Sequence, residues 1–196
     1  MENIKIYGDK EKNIVIKTIT NFEDFEKGIT VFRNAPYHEI LSKSDMEEEY
    51  NTYVENGIAL GCYVDNEIAG LNCIVHEADP KHSVMFDKDA RVAYYSGLAV
   101  RCGFRGLGLG KLMVCETDKF LQDLKMFDYS YARILTKGSM SEGIFKRYGF
   151  RDIYDEFGDL IVDDVDYERN DPNVSTSDQR KYMGKAFTKS YFVKRR

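Results

Sequence analysis

The chain has 196 residues and a formal net charge of −5. That length suits one domain with a sizeable core, and the net negative charge speaks against a general nucleic-acid binder. No apolar run is long enough to span a membrane or act as a secretory signal, so a cytoplasmic location is expected, with no membrane and no nucleic acid among the partners.

Residues 1–13 are polar, with a short strand over 4–7. Residues 14–19 alternate as a strand. Asn21 caps a helix over 22–32, which carries Phe22, Phe25, Ile29 and Phe32 on one face. Pro36 interrupts the chain after it. Ser44 is the expected cap of a second helix over 45–55. Its Glu47-Glu48-Glu49 run reads first as a solvated face and second as an attractor for a cation. Residues 57–64 and 67–75 form a hairpin closed by Asp65-Asn66. A polar connection, 76–91, leads to an apolar, aromatic-rich strand over 92–100.

A basic glycine-rich turn follows, Arg101-Cys102-Gly103-Phe104-Arg105-Gly106-Leu107-Gly108-Leu109-Gly110-Lys111. After it Leu109, Leu112, Met113, Thr117, Phe120, Leu121 and Leu124 recur at helical spacing. Strand, glycine turn and helix in this order bring backbone amides to a ligand without side chains in the way. Arg105 and Lys111 add positive charge, so the turn is expected to hold a phosphate or pyrophosphate. Leu112 stands where a P-loop needs Ser or Thr, and the glycine spacing is not that of a dinucleotide fold.

Beyond the turn, residues 132–136 form a strand. Ser139 caps a helix over 140–148, with Glu142 at its third position and Gly149 ending it. Residues 151–156 and 160–167 pair around Phe157-Gly158-Asp159. The breaker Asn170-Asp171-Pro172-Asn173 then opens a basic, aromatic tail. The expected organisation is a single domain over 1–169. An extension, 170–196, packs on it or on a partner subunit, as in a homodimer. Cys62, Cys73, Cys102 and Cys115 form no Cys-x-x-Cys pair, and His38, His76 and His82 are scattered. No metal is therefore expected, and the cysteines read as reduced. Cys102 lies in the basic turn, where a thiolate would be favoured.

The stretch Arg105-Gly106-Leu107-Gly108-Leu109-Gly110 resembles the acetyl-CoA pyrophosphate motif, Arg/Gln-x-x-Gly-x-Gly/Ala, of the GCN5-related N-acetyltransferases (GNAT). The strand before it resembles that family's fourth strand. Residues 138–150, ending Ile144-Phe145-Lys146-Arg147-Tyr148-Gly149-Phe150, resemble its later helix with a terminal Gly-Phe. The resemblance implies an α/β acyl-CoA N-acyltransferase fold, a central mixed sheet flanked by helices. It implies acetyl-CoA as co-substrate and a small-molecule or peptide amine as acceptor. Leu98, Ala99 and Val100 would hold the pantetheine arm. Arg105, Gly106, Leu107, Gly108, Leu109, Gly110 and Lys111 would hold the pyrophosphate.

Three places depart from the family pattern. Tyr94, Tyr95 and Ser96 occupy the central strand where an acidic base would be natural, which leaves Glu77 and His76 as candidate bases. Phe145 replaces the tyrosine that often serves as the acid, which leaves Tyr148 as the nearby hydroxyl, and Gly138 replaces a frequent asparagine. The competing expectation is a catalytically degenerate CoA-binding sensor or structural protein.

Overall fold

The computed structural model describes residues 5–9, 12–33, 42–76, 86, 89–136, 140–164 and 179–187. They fall into two compact units. The first includes described residues 5–9, 12–33, 42–75 and 96–117, and the second holds the rest.

In the first unit, β1 (Lys5–Asp9), β2 (Lys12–Thr18), β3 (Gly57–Val64) and β4 (Glu67–His76) form an antiparallel ladder. The end of β5 (Val92–Val100) follows β4 in the order. The β3–β4 turn places Asp65 at φ 52° and Asn66 at φ 70°, the left-handed pair that a tight hairpin requires. Opposite Cys62 and Tyr63 stand Gly70 and Ile68, so Ala69 is an extra residue, a bulge in β4. From Ile68 to Ile74 β4 is buried throughout, as expected for a strand covered on both faces.

Helices α1 (Phe22–Arg33) and α2 (Lys43–Tyr50) cover one face. Phe25, Ile29, Phe32 and Met46 meet Ala59, Ile68, Leu71 and Cys73 there. Against the other cluster, Ile14, Ile16, Leu60, Cys62 and Ala69, lie Leu109 and Met113 of α3 (Leu109–Leu124). Asn21 caps α1 as expected, its Oδ1 accepting from Asp24 N–H at 2.9 Å. For α2 the cap is Ser42 instead of Ser44. Ser42 Oγ accepts from Asp45 N–H while the Asp45 carboxylate accepts from Ser42 N–H, a reciprocal box that starts the helix earlier. The α-helix also stops sooner than 55, because Asn51–Glu55 is a π-helical turn.

In the second unit, Val92–Tyr95 of β5 run parallel to β6 (Tyr129–Leu135), from Val92↔Tyr129 to Tyr95↔Ala132. β6 pairs antiparallel with β9 (Gln179–Ala186), which also pairs with β7 (Arg151–Asp152) and β8 (Val162–Asp164). Thus the segment 170–196 supplies a strand bonded to β6, β7 and β8, and the remainder of that tail lies outside the described residues. Helix α4 (Met140–Arg147) ends at Gly149, whose φ of +88° reverses the chain as its C-cap. Its expected cap, Ser139, lies outside the described residues.

Within the expected strands 151–156 and 160–167, β7 stops at Asp152 and β8 begins at Val162, while 165–167 lie outside the described residues. Asp155 Oδ1 accepts from both Phe157 N–H and Asp159 N–H, which curls the chain and leaves one bridge, Tyr154↔Leu160. No helix among the described residues is long and apolar enough to cross a membrane.

Candidate functional site

The glycine turn belongs wholly to the first unit. At its entry Arg101 N–H donates to the bulge carbonyl, Ala69 O, at 2.8 Å. The Arg101 guanidinium donates to Glu67 Oε1 at 2.8 Å and to Thr30 Oγ1 at 3.1 Å. A single 3₁₀ turn, Cys102–Phe104, closes through Phe104 N–H to Arg101 O and Arg105 N–H to Cys102 O. Gly106 and Gly108 then take φ of +86° and +74°, a conformation that L side chains rarely adopt. Gly108 O accepts the Leu112 N–H at 3.0 Å and so starts α3, while buried Leu109 and Met113 fix the helix end in the core.

Among the described backbone bonds of this turn, none has Gly106, Leu107 or Gly108 as donor. The amides of Leu109, Gly110 and Lys111 are first-turn amides, which have no carbonyl partner within a helix. These consecutive amides stand at the positive end of a sixteen-residue helix. A Cβ built at Gly103, Gly106 or Gly108 meets nothing within 4 Å, so the space in front of the turn is open. Arg105 and Lys111 are exposed beside it, and Arg105 Nε also donates to Val100 O at 3.3 Å. This is the geometry that a pyrophosphate needs: adjacent N–H donors, open space and two cations.

Leading into the turn, Leu98 and Val100 lie half-buried against the α3 cluster, and Ala99 lies against the α1–α2 cluster. The ladder to β6 ends at Tyr95. The backbone from Ser96 onward therefore does not take part in it, as a strand that hydrogen-bonds an extended ligand arm requires.

The described acid and base candidates, His76 and Tyr148, belong to the second unit. His76 ends β4 and counts with the second unit; its ring meets Phe127 edge-on at 4.7 Å. Partial burial lowers its pKa below the ordinary imidazole value, so it is neutral at pH 7. Glu77 and Gly138 lie outside the described residues. Tyr148 is half-buried just after α4, also in the second unit, and its N–H donates to Phe145 O at 3.0 Å. Phe145 is a core residue, packed edge-on to Tyr95 at 5.3 Å and to Phe150 at 4.9 Å. Burial pushes the Cys62 thiol up to about 12 and Cys73 well above its ordinary value. Both are free, and they stay protonated core thiols. Cys102 is free and exposed.

Two polar pairs were not foreseen from the spacing. One is Arg101 with Glu67, which joins the turn to the start of β4. The other is Tyr53 Oη with Ser96 Oγ, 3.2 Å apart. Glu67 opens the strand that carries the bulge and Tyr53 lies in the π turn, and neither feature leaves a mark on hydrophobic periodicity.

The fold is that of the GNAT acyl-CoA N-acyltransferases: a mixed sheet with helices on its faces and the glycine turn between its central strand and the following helix. A GNAT-family acetyltransferase from Streptococcus pneumoniae superposes with a TM-score of 0.63 at 14% identity, covering 88% of this chain and 98% of the other. The ribosomal-protein-S18-alanine N-acetyltransferase of Escherichia coli gives 0.63 at 10% identity, covering 91% and 96%. A GNAT-family acetyltransferase from Elizabethkingia anophelis, solved with acetyl-CoA bound, gives 0.56 at 14% identity, covering 88% and 97%. No protein-family model matches the chain. No curated protein matches it by sequence.

Proposed function

We propose that the chain transfers the acetyl group of acetyl-CoA to a primary amine of a small molecule or peptide. The observation that carries this reading is the run of amides from Gly106 to Lys111 with no backbone acceptor among the described bonds, with exposed Arg105 and Lys111 beside it, in a fold shared with acetyltransferases. When bound, acetyl-CoA supplies an activated acetyl thioester. The residues fit it: the glycine turn leaves open space where a Cβ would otherwise stand, and its donors suit a doubly charged pyrophosphate. Leu98, Ala99 and Val100 offer strand groups to the amide-rich pantetheine arm. A strand N–H in this stretch would also donate to the carbonyl oxygen as charge develops on it.

Tyr148 is the proposed proton donor to the departing thiol, since Phe145 has no hydroxyl and is enclosed by Tyr95 and Phe150. A second reading is favoured by the same Phe145: a protein that binds CoA and turns over little. Free-thiol release from acetyl-CoA over polyamines, amino acids, aminoglycosides and peptide N-termini separates the two. Release well above the rate without amine supports transfer. CoA binding without release from any amine supports the sensor.

A further inference from the structure

Gly57 opens β3 immediately after the π-helical turn Asn51–Glu55. A Cβ at Gly57 would stand 2.5 Å from Ile74 O, 2.7 Å from Thr52 O and 3.2 Å from Tyr53 Cα. Any side chain would thus push the turn away from the strands. A π turn is rare and persists only where its surroundings hold it, often at a functional site. Here it sets the direction of Tyr53. The Tyr53 ring packs in the α1–α2 cluster, 6.4 Å from Phe25, and its hydroxyl reaches Ser96 Oγ at 3.2 Å. Glu49 lies one helical turn earlier, and its charge bears on the same phenol.

Ser96 is half-buried and is the first residue of β5 beyond the β6 ladder, two positions before Leu98. The acidic run is also not uniform. Glu47 and Glu48 are exposed, as a solvated face should be, whereas Glu49 is half-buried. Burial drives the Tyr53 phenol well above its ordinary pKa; the Ser96 bond opposes this and Glu49 adds to it. Tyr53 therefore stays a protonated phenol, able to donate and accept at once but unable to act as a phenolate base.

We propose that Ser96, Tyr53 and Glu49 form the route by which the attacking amine loses its proton, with Ser96 the residue that touches the amine. This rests on the acetyl-transfer reading above. Before attack, one proton of the bound ammonium passes to Ser96 Oγ. The Ser96 proton passes to Tyr53 Oη, and the Tyr53 proton passes to the Glu49 carboxylate. Glu49 returns its proton to solvent. As the neutral amine then forms the N–C bond and the C–S bond breaks, the departing thiolate takes a proton from Tyr148, which regains one from the nitrogen of the new amide. The route supplies a carboxylate base through two hydroxyls to a strand that carries no acid of its own.

The test compares two acceptors on the full-length protein: propylamine, an ammonium at neutral pH, and hydroxylamine, already neutral. With propylamine, Ser96→Ala, Tyr53→Phe and Glu49→Gln should each lower kcat by about a hundredfold, the scale of a lost general base. With hydroxylamine the loss should stay within about threefold, because no proton must leave before attack. Ser96→Thr should keep the propylamine rate. By calorimetry, acetyl-CoA affinity should be unchanged in all variants, while Ser96→Ala should weaken propylamine binding to the CoA-saturated protein. Equal losses with both amines, or none, overturn the proposal and leave acetyl transfer standing. A wild-type protein that binds CoA and releases no thiol with any amine defeats the transfer reading and this proposal with it.

Discussion

Arg101 Nη1 stands 2.8 Å from Glu67 Oε1, so the residue just after β5 is tied to the first residue of the neighbouring β4. The pair is only part-buried, Glu67 being 60% exposed, and such pairs add at most about 1 kcal/mol to stability. Its value is positional: with the Thr30 contact at 3.1 Å, it fixes where the glycine turn starts. Arg101→Ala should leave the melting temperature nearly unchanged and weaken CoA binding by about tenfold, a loss of about 1.4 kcal/mol. Calorimetry beside a thermal melt checks both. A large drop in melting temperature with intact affinity would mean that the pair serves the fold alone.

Asn72 and Thr117 make a buried polar contact in the first unit, Asn72 Nδ2 donating to Thr117 Oγ1 at 2.7 Å, both fully buried. Thr117→Val removes the acceptor and strands the amide. The expected destabilisation is about 1–3 kcal/mol, seen as a lower denaturant midpoint at unchanged slope. Adding Asn72→Leu should recover part of that loss, because the unsatisfied group goes with its partner. Strictly additive losses would show that the pair is not coupled.

Glu142 on α4 ties that helix to β9. Hydrogen bonds from Lys146 and Lys181 pull its carboxyl down to about 2 from the ordinary 4.5. Lys181 is raised in turn: burial opposes its charge, and Glu142 and Asp152 outweigh the burial. A carboxyl with a depressed folded-state pKa stabilises fully above about pH 4.5 and loses that contribution as pH falls toward about 2. Glu142→Gln should therefore melt below the wild type at neutral pH, and the two curves should converge as pH approaches 2. Melts across that range check it, and parallel curves would exclude the linkage.

The elements most legible in the sequence were those fixed by local chemistry. Asn21 with Asp24, the Asp65-Asn66 hairpin, the strand into the glycine turn and the Gly149 helix end all follow from residues close in the chain. Ser42 was missed because Ser44 and Glu47 offer the same capping pattern two residues later. The π turn at Asn51–Glu55 was missed because its apolar residues keep a helix-like spacing. What reveals it is Gly57, whose Cβ has no room. Strand β9 lies in the basic, aromatic tail, where a strand was readable but its pairing with β6, β7 and β8 was not. Lys181 is buried there only because Glu142 and Asp152, far off in sequence, meet it. At the candidate site, the shape of the glycine turn was readable because glycine spacing encodes backbone geometry directly. The hydroxyl pair Tyr53–Ser96 was not, because it depends on two distant segments meeting.

The most direct measurement is calorimetric titration of CoA into wild type, Gly108→Asp and Gly103→Ala. Gly108 holds φ +74° in front of open space, so aspartate adds strain and a carboxylate where phosphate must sit. Gly103 lacks that conformation and has equally open surroundings, so alanine is tolerated there. The expected result is measurable affinity in wild type and Gly103→Ala, and loss of about a hundredfold or more in a folded Gly108→Asp protein, or about 2.7 kcal/mol. No heat with wild type, or equal affinity in all three, would contradict a pyrophosphate site at this turn.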